Sequence, residues 1–280
     1  MPLSNSTQSN NYGHKASKEL VKIIIPSFKR PNGVKTLGAI SHAAICCPAR
    51  EVEAYQKNYP DTEIIGHPDE VYGINQARQW IYEKYPNVMM LDDDIHFVLR
   101  MTEPPVYEKL KFDGTSNNDK LTPDEAYEVV QNLARVAKEM GAYLFGFCSS
   151  PNPRDVKDFM PFLINAYVKG TTMGMLEGSK LHFPMEEAGR ISEDHYVTLL
   201  NAYHHRFNII DNRYSFIHKG TFKTVGGCSD YRTSDSEEVA YKFLRQKFGE
   251  AVQLKKVGTN NKGQEMARTH AWERVIHIPY

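Results

Sequence analysis

The sequence predicts an α/β domain built on a mixed, mainly parallel sheet flanked by helices. Three observations carry that expectation. Short apolar runs rich in β-branched residues alternate with segments of helical periodicity. Two of those runs, Leu20–Pro26 and Val88–Leu91, stop abruptly at polar residues. A helix start at Thr122-Pro123 and a stop at Gly141 fall between later runs. At 280 residues the chain can bury a substantial core. It shows no internal repeat and no linker, so a single domain over 19–280 is expected. Residues 1–18, rich in Ser and Asn and without an apolar core, read as a disordered tail and not as a signal peptide.

The elements follow in order. Leu20–Pro26 is a first strand closed by proline, and Ser27–Gly33 a turn. A helix is expected from about Val34 to Ile45, and a second, short one from Glu51 to about Tyr59. Glu63–Ile65 is a short strand. Ile74, Ala77 and Ile81 recur at helical spacing, so a helix runs to about Tyr85. Val88–Leu91 is a buried strand. Thr122 caps a helix to Met140 that carries Pro123 at its first position and acids in its first turn. Tyr143–Cys148 is a strand, Phe159–Lys169 mixed structure, and Gly170–Gly178 a loop with three glycines. Ser192 caps a helix of about Asp194–Tyr203. Phe207–Asp211 is a strand, and Ser236–Phe248 the last helix.

Composition excludes several classes. Hydrophobic residues make up 41%, as in ordinary globular proteins, and 34 basic residues balance 34 acidic ones. No overall field therefore favours nucleic acid or membrane. The distribution is uneven: residues 1–50 carry seven basic residues against one acidic, and residues 51–125 seven against sixteen. Residues 206–280 carry thirteen against eight. An acidic middle between basic ends suits a metal site beside a polyanion-binding surface. Cys46, Cys47, Cys148 and Cys228 form no C-x-x-C or zinc spacing, which points to a reducing, cytoplasmic location. No apolar run approaches the roughly 20 residues needed to span a bilayer.

The chemistry concentrates at Leu91-Asp92-Asp93-Asp94-Ile95. Three adjacent carboxylates repel one another unless a cation or a hydrogen-bond network compensates. On a strand Asp92 and Asp94 share a face while Asp93 points elsewhere. Paired carboxylates suit a hard divalent ion, Mg²⁺ or Mn²⁺, that keeps positions open for substrate phosphates; a solvated acidic loop is the plain alternative. Ligands bind beyond the carboxyl ends of parallel strands, where Lys29, Arg30 and Arg78 are placed to hold phosphate or to sit as ordinary surface cations. Ser192-Glu193-Asp194 is at least a helix N-cap. Gly226–Arg232 reads as a mobile lid, and the basic stretch Lys242–Arg274, with Lys255, Lys256 and Trp272, as a surface for phosphates.

A strand ending Ile25-Pro26-Ser27-Phe28-Lys29-Arg30-Pro31, a helix opening Gly73-Ile74-Asn75-Gln76-Ala77-Arg78, and a strand ending Leu91-Asp92-Asp93-Asp94 together resemble a GT-A glycosyltransferase. The first matches the P-[ST]-[YF]-x-R opening of that Rossmann-like fold and the last its D-x-D signature. The resemblance covers roughly residues 20–218. The chain is most similar to the TET-associated glycosyltransferases of bacteriophages, which place sugars on hydroxymethylated pyrimidines in phage DNA. That resemblance implies a nucleotide-sugar donor held by Pro26, Ser27, Lys29, Arg30, Arg78, Asp92, Asp93 and Arg232. It implies Mn²⁺ or Mg²⁺ on Asp92 and Asp94, with His218 as third ligand and His204, His205 and His270 as rivals. Ser192-Glu193-Asp194 matches the x-E-D arrangement that supplies the base of inverting members, making Asp194 the base and Glu193 the alternate. The implied acceptor is DNA containing 5-hydroxymethylcytosine, in the host cytoplasm if the protein is phage-encoded. A saccharide, protein or small-molecule acceptor, a metal-dependent nucleotidyltransferase and a binding module without turnover remain as rival readings.

Overall fold

Lys22–Pro26 forms β1, whose Ile23, Ile24 and Ile25 are fully buried. The computed structural model describes residues 19–101, 120–148, 159–218, 232–256 and 271–278; the expected tail at 1–18 lies outside them. After β1 come β2 (Ala43–Pro48), α1 (Val52–Asn58), β3 (Ile64–His67), α2 (Ile74–Lys84), β4 (Val88–Leu91) and β5 (Ile95–Arg100). Then follow α3 (Pro123–Met140), β6 (Leu144–Cys148), β7 (Phe162–Ile164), β8 (Thr172–Met175), α4 (Glu193–His204) and β9 (Ile209–His218). The last elements are α5 (Ser234–Phe248), β10 (Val252–Leu254) and β11 (Arg274–Ile276).

Nine strands form one sheet in the order β3-β2-β1-β4-β8-β6-β9-β5, with β7 also on β9. The strands β1, β2, β3, β4, β6 and β9 run one way; β5, β7 and β8 run the other. This is the mixed, mostly parallel, Rossmann-like GT-A sheet that the sequence predicts. Because side chains alternate across a strand, Ile23, Ile25, Met89 and Leu91 join Tyr55 of α1 and Val130, Leu133 and Ala137 of α3 on one face. Ile24, Val88 and Met90 join Ile81 of α2, Val197 and Leu200 of α4 and Leu244 of α5 on the other. Burying both faces anchors the strand ends at which the site is built.

Local chemistry explains where the structure agrees with the sequence reading and where it departs. Thr122 and Glu125 form a reciprocal capping box at the start of α3, with Pro123 at its first position, and Gly141 ends it at φ +74°. The helix expected over Val34–Ile45 is instead a single turn at Thr36–Gly38 followed by β2. His42, at φ +56°, breaks the helical path. Ala43–Pro48 then pairs with β1 on one side and β3 on the other, so its apolar run is buried on both faces.

The expected loop Gly170–Gly178 contains β8, which lies between β4 and β6. Its glycine serves packing: a Cβ on Gly174 would lie 2.3 Å from the Phe145 ring. The strand Ile95–Arg100 was not expected, and β9 runs past Asp211 to His218. Ser192 occupies the N-cap position of α4 without a side-chain capping bond. Among the described residues no helix is long and apolar enough to cross a membrane.

Candidate active site

The parallel pairing of β1 with β4 sets Ser27–Arg30 beside Asp92–Asp94 at the carboxyl ends of both strands. Ser27, Phe28, Arg30 and the three aspartates open into a cavity of about 1020 Å³. The tripeptide is not a solvated loop. Ser27 Oγ and Arg30 Nη1 each donate to the Asp93 carboxylate at 2.7 Å, and the Tyr55 hydroxyl donates to Ser27 Oγ at 2.9 Å. Thr36 Oγ1 donates to the Asp92 carbonyl at 2.5 Å and accepts from the Ile95 N–H at 3.0 Å, gripping the backbone on both sides. Burial raises the Asp93 carboxyl above the usual range, against the pull of Arg30 and Ser27.

Each neighbouring carboxylate has a different environment. Asp92 pairs with Arg78 Nη2 at 2.7 Å. Asp94 forms no ion pair among the described residues. Burial and the charge of Asp92 raise its carboxyl, while His218 and Arg30 pull it down. His218 sits across the ladder from Ile95, which brings the imidazole to Asp94 from the far end of β9. Two arginines therefore pair directly with two of the three charges, while Asp94 feels His218 and Arg30 only at a distance.

Arg78 joins this end of the cavity to the other. It is 1% exposed, donating through Nη1 to Glu193 Oε1 at 2.8 Å. Its Nη2 donates to Asp92 and, at 2.8 Å, to the Gly170 carbonyl. A Cβ at residue 170 would lie 2.4 Å from Nη1, so only glycine lets the guanidinium pass. The cation expected to reach phosphate is thus engaged by protein oxygens on three elements.

At the far end, α4 presents Glu193, Asp194 and His195 to the cavity. Burial drives the Glu193 carboxyl up, to about 8, against the opposing charge of Arg78; Asp194 adds to the rise. Burial also pushes Asp194 upward, but His195, the Tyr167 hydroxyl and the Gly170 N–H outweigh it and hold that carboxyl below the usual range. The Tyr167 hydroxyl donates to Asp194 Oδ2 at 2.5 Å, and burial, followed by the Asp194 charge, holds this phenol protonated well above pH 10. Two adjacent carboxyls driven in opposite directions are the arrangement from which acid and base roles are built.

Two further walls complete the cavity. Phe28 and Tyr72 meet edge to face at 6.0 Å, and the Arg190 guanidinium lies 4.8 Å over the Tyr72 ring. From the C-terminal segment, Arg232, Glu237 and Arg274 line the Asp194 side. Arg232 Nε pairs with Glu237 at 2.5 Å, and the nearly buried Arg274 pairs with the other oxygen of the same carboxylate.

A family model described as TET-Associated Glycosyltransferase matches residues 21–227. The chain belongs to the TET-associated glycosyltransferase family. A search of curated proteins found no match. The matched span holds β1 to β9, and with them the Asp92–Asp94 tripeptide, Arg78 and the Glu193–His195 turn. The chain is therefore a glycosyltransferase, which takes a nucleotide-sugar donor and an acceptor.

For this transferase, the cavity gathers Pro26, Ser27, Arg30, Arg78, Asp92, Asp93, Asp94, Glu193, Asp194 and Arg232 from the sequence-predicted set. Lys29 stands apart: its N–H donates to Glu51 and its ammonium lies 4.9 Å over the Phe28 ring. His205 accepts from the Lys180 N–H and packs on Tyr143, away from the carboxylates. His270 and Gly226–Tyr231 of the expected lid lie outside the described residues.

Among the described residues of the basic stretch, most cations pair within the fold. Lys242 pairs with Glu238, Lys247 with Glu186, Lys255 with Glu273 and Arg274 with Glu237. Trp272 packs on Tyr241 at 5.7 Å. Sequence reasoning missed Tyr55, Tyr167 and His195. His195 follows the x-E-D match directly, whereas nothing in the local spacing marks the tyrosines.

Proposed function

We propose that this glycosyltransferase is metal-dependent and inverting, and that it moves a hexose or pentose from a nucleotide sugar to the hydroxymethyl group of a modified pyrimidine in DNA. The observation that carries the reading is the two-ended cavity: a carboxylate and arginine cluster at one end, a pair of oppositely shifted carboxyls at the other, and buried Arg78 between them.

The donor's nucleoside fits against Phe28 and Tyr72, and its diphosphate against Arg30. Among the described residues no three His, Cys, Asp or Glu side chains form a ready-made metal group. In this reading Asp92 and Asp94 supply carboxylate oxygens to Mn²⁺ or Mg²⁺, with His218, whose charge reaches Asp94, as the third ligand. That number suits an ion which completes its shell with water and substrate phosphate. When bound, the ion supplies charge neutralisation to the departing diphosphate. Asp92 gives one carboxylate oxygen to Arg78, which fixes the strand end, and turns the other to the ion.

The acceptor hydroxyl enters from the Asp194 side. Its oxygen forms a bond to the sugar's anomeric carbon as the carbon–oxygen bond to the diphosphate breaks, and its proton passes to the group built around Asp194, with Glu193 behind it. A single displacement inverts the anomeric centre. A pyrimidine of duplex DNA reaches an active-site cavity by leaving the base stack.

The test is to incubate the protein with Mn²⁺, a panel of nucleotide sugars and DNA containing 5-hydroxymethylcytosine, then digest the DNA and weigh its nucleosides. A hexose or pentose increment, with opposite anomeric configuration by NMR, is expected. Metal-dependent release of nucleoside diphosphate without an increment removes DNA as the acceptor in favour of a saccharide, protein or small molecule. A DNA increment that survives complete metal removal overturns the metal.

A further inference from the structure

Asp194 already accepts as many hydrogen bonds as a carboxylate holds. Oδ1 accepts from the His195 backbone N–H at 2.8 Å and faces His195 Nδ1 at 3.0 Å. Oδ2 accepts from the Tyr167 hydroxyl at 2.5 Å and from the Gly170 N–H at 3.1 Å. A carboxylate offers about four lone-pair sites, so an arriving hydroxyl finds none vacant. The same bonds hold the carboxyl ionised and weakly basic.

The imidazole beside it is placed differently. Nδ1 faces Asp194 Oδ1 and, at 3.2 Å, the Tyr167 oxygen. The Tyr167 proton goes to Asp194, so Nδ1 is the nitrogen that carries hydrogen and Nε2 keeps the lone pair. The ring lines the cavity, and Nε2 has no hydrogen-bond partner among the described residues. Tyr167 stacks against the ring at 4.3 Å and 31°, which fixes its rotation. An imidazole oriented by a buried carboxylate through one nitrogen, and open at the other, is the arrangement that makes a general base near neutral pH.

We propose that His195 Nε2 is the catalytic base of this transferase and that Asp194 and Tyr167 are positioning residues acting through it. The inference rests on the transferase reading and refines its proton step. As the acceptor oxygen bonds to the anomeric carbon, the acceptor O–H bond breaks and its proton moves to Nε2; the electron pair of the carbon–oxygen bond leaves with the diphosphate. Asp194 stays ionised and balances the imidazolium. The titratable and charged groups that line this end of the cavity with the ring are Asp194 and Glu193 on its own helix, Tyr167 and Lys169 on the segment before β8, and Arg232, Glu237, Glu273 and Arg274 from the C-terminal segment.

The test compares wild type, His195→Gln and Asp194→Asn from pH 5 to 9, with donor binding measured separately. Wild-type turnover is expected to fall on the acid side of the profile, because the base must accept a proton. His195→Gln is expected to lose that limb and about 10²-fold or more in kcat, with donor binding unchanged. Asp194→Asn is expected to lose turnover while keeping donor affinity, and added imidazole to restore part of the rate of His195→Gly. Near-normal turnover of His195→Gln with an unaltered pH profile overturns the proposal and returns the proton to Asp194. Nitrogen-15 NMR of the wild-type imidazole reads the tautomer without activity: protonated Nδ1 with bare Nε2 supports the assignment, and protonated Nε2 overturns it. If wild type acts on no donor or acceptor, the transferase reading fails, and the tautomer alone decides the state of His195.

Discussion

The Arg78 guanidinium holds the Glu193 carboxylate at 2.8 Å, joining α2 to the first turn of α4 with both side chains almost wholly buried. Removing the cation strands two carboxylates. Arg78→Ala is expected to cost about 1–3 kcal/mol, the range for leaving a buried polar group without its hydrogen-bond partner, read from urea unfolding. Arg78→Lys is expected to recover only part of it, because an ammonium cannot copy the fork that serves Glu193, Asp92 and Gly170 at once.

Stability should decline as pH rises through the range in which Glu193 ionises. Its folded pKa is raised to about 8 from an unfolded value near 4.5. Its contribution is thus fully present below about pH 4.5 and is lost as pH climbs through about 8. Burial raises Asp93 and Asp94 in the same sense. Asp194, held low, acts oppositely and only in acid. Urea midpoints at pH 5, 6, 7 and 8 check this: Glu193→Gln should flatten the slope, and an unchanged slope would assign it elsewhere.

Adjacent substitutions in the acidic tripeptide should give unlike results. Asp94→Ala is expected to leave the fold intact and to abolish Mn²⁺-dependent donor binding in calorimetry; unchanged metal-dependent affinity would remove Asp94 as a ligand. Asp93→Ala leaves the Arg30 and Ser27 donors without their shared acceptor. Its main effect is expected in the melting temperature.

Gly174→Ala places a methyl 2.3 Å from the Phe145 ring. Overpacking of this kind costs about 1–3 kcal/mol, measurable as a lowered unfolding midpoint. Trimming the ring with Phe145→Leu in the same chain is expected to return part of the loss; no recovery would mean that the strain lies in the backbone.

Much of this was legible in the sequence because the signals are local. Val88–Leu91 breaks from full burial to charge at one peptide bond, and Thr122–Glu125 writes its own cap. The D-x-D, the β1 opening and the x-E-D turn could be found because each is contiguous. The elements misread have ambiguous local chemistry. Ala43–Pro48 becomes a strand only because β1 and β3 flank it, and three glycines spelled a loop where one of them makes room for Phe145. Ser192 reads as a cap, yet its side chain caps nothing. Tyr167 reaches Asp194 across 27 residues, and Arg274 reaches the same cavity from a stretch that reads as a charged surface. Such long-range pairings leave no spacing to detect.

The place of β8 also bears on how the molecule assembles. In the pairing order, β3-β2-β1-β4 and β6-β9-β5 meet through this one four-residue strand. Until residues 172–175 insert, each half has an open edge, and open edges pair with whatever strand is near. The segment that seals the seam also carries Gly170, whose carbonyl accepts from Arg78 and whose N–H donates to Asp194. The same segment thus closes the sheet and holds Arg78 and Asp194 in place. A chain with this strand unpaired would have both an exposed edge and an unfinished cavity wall.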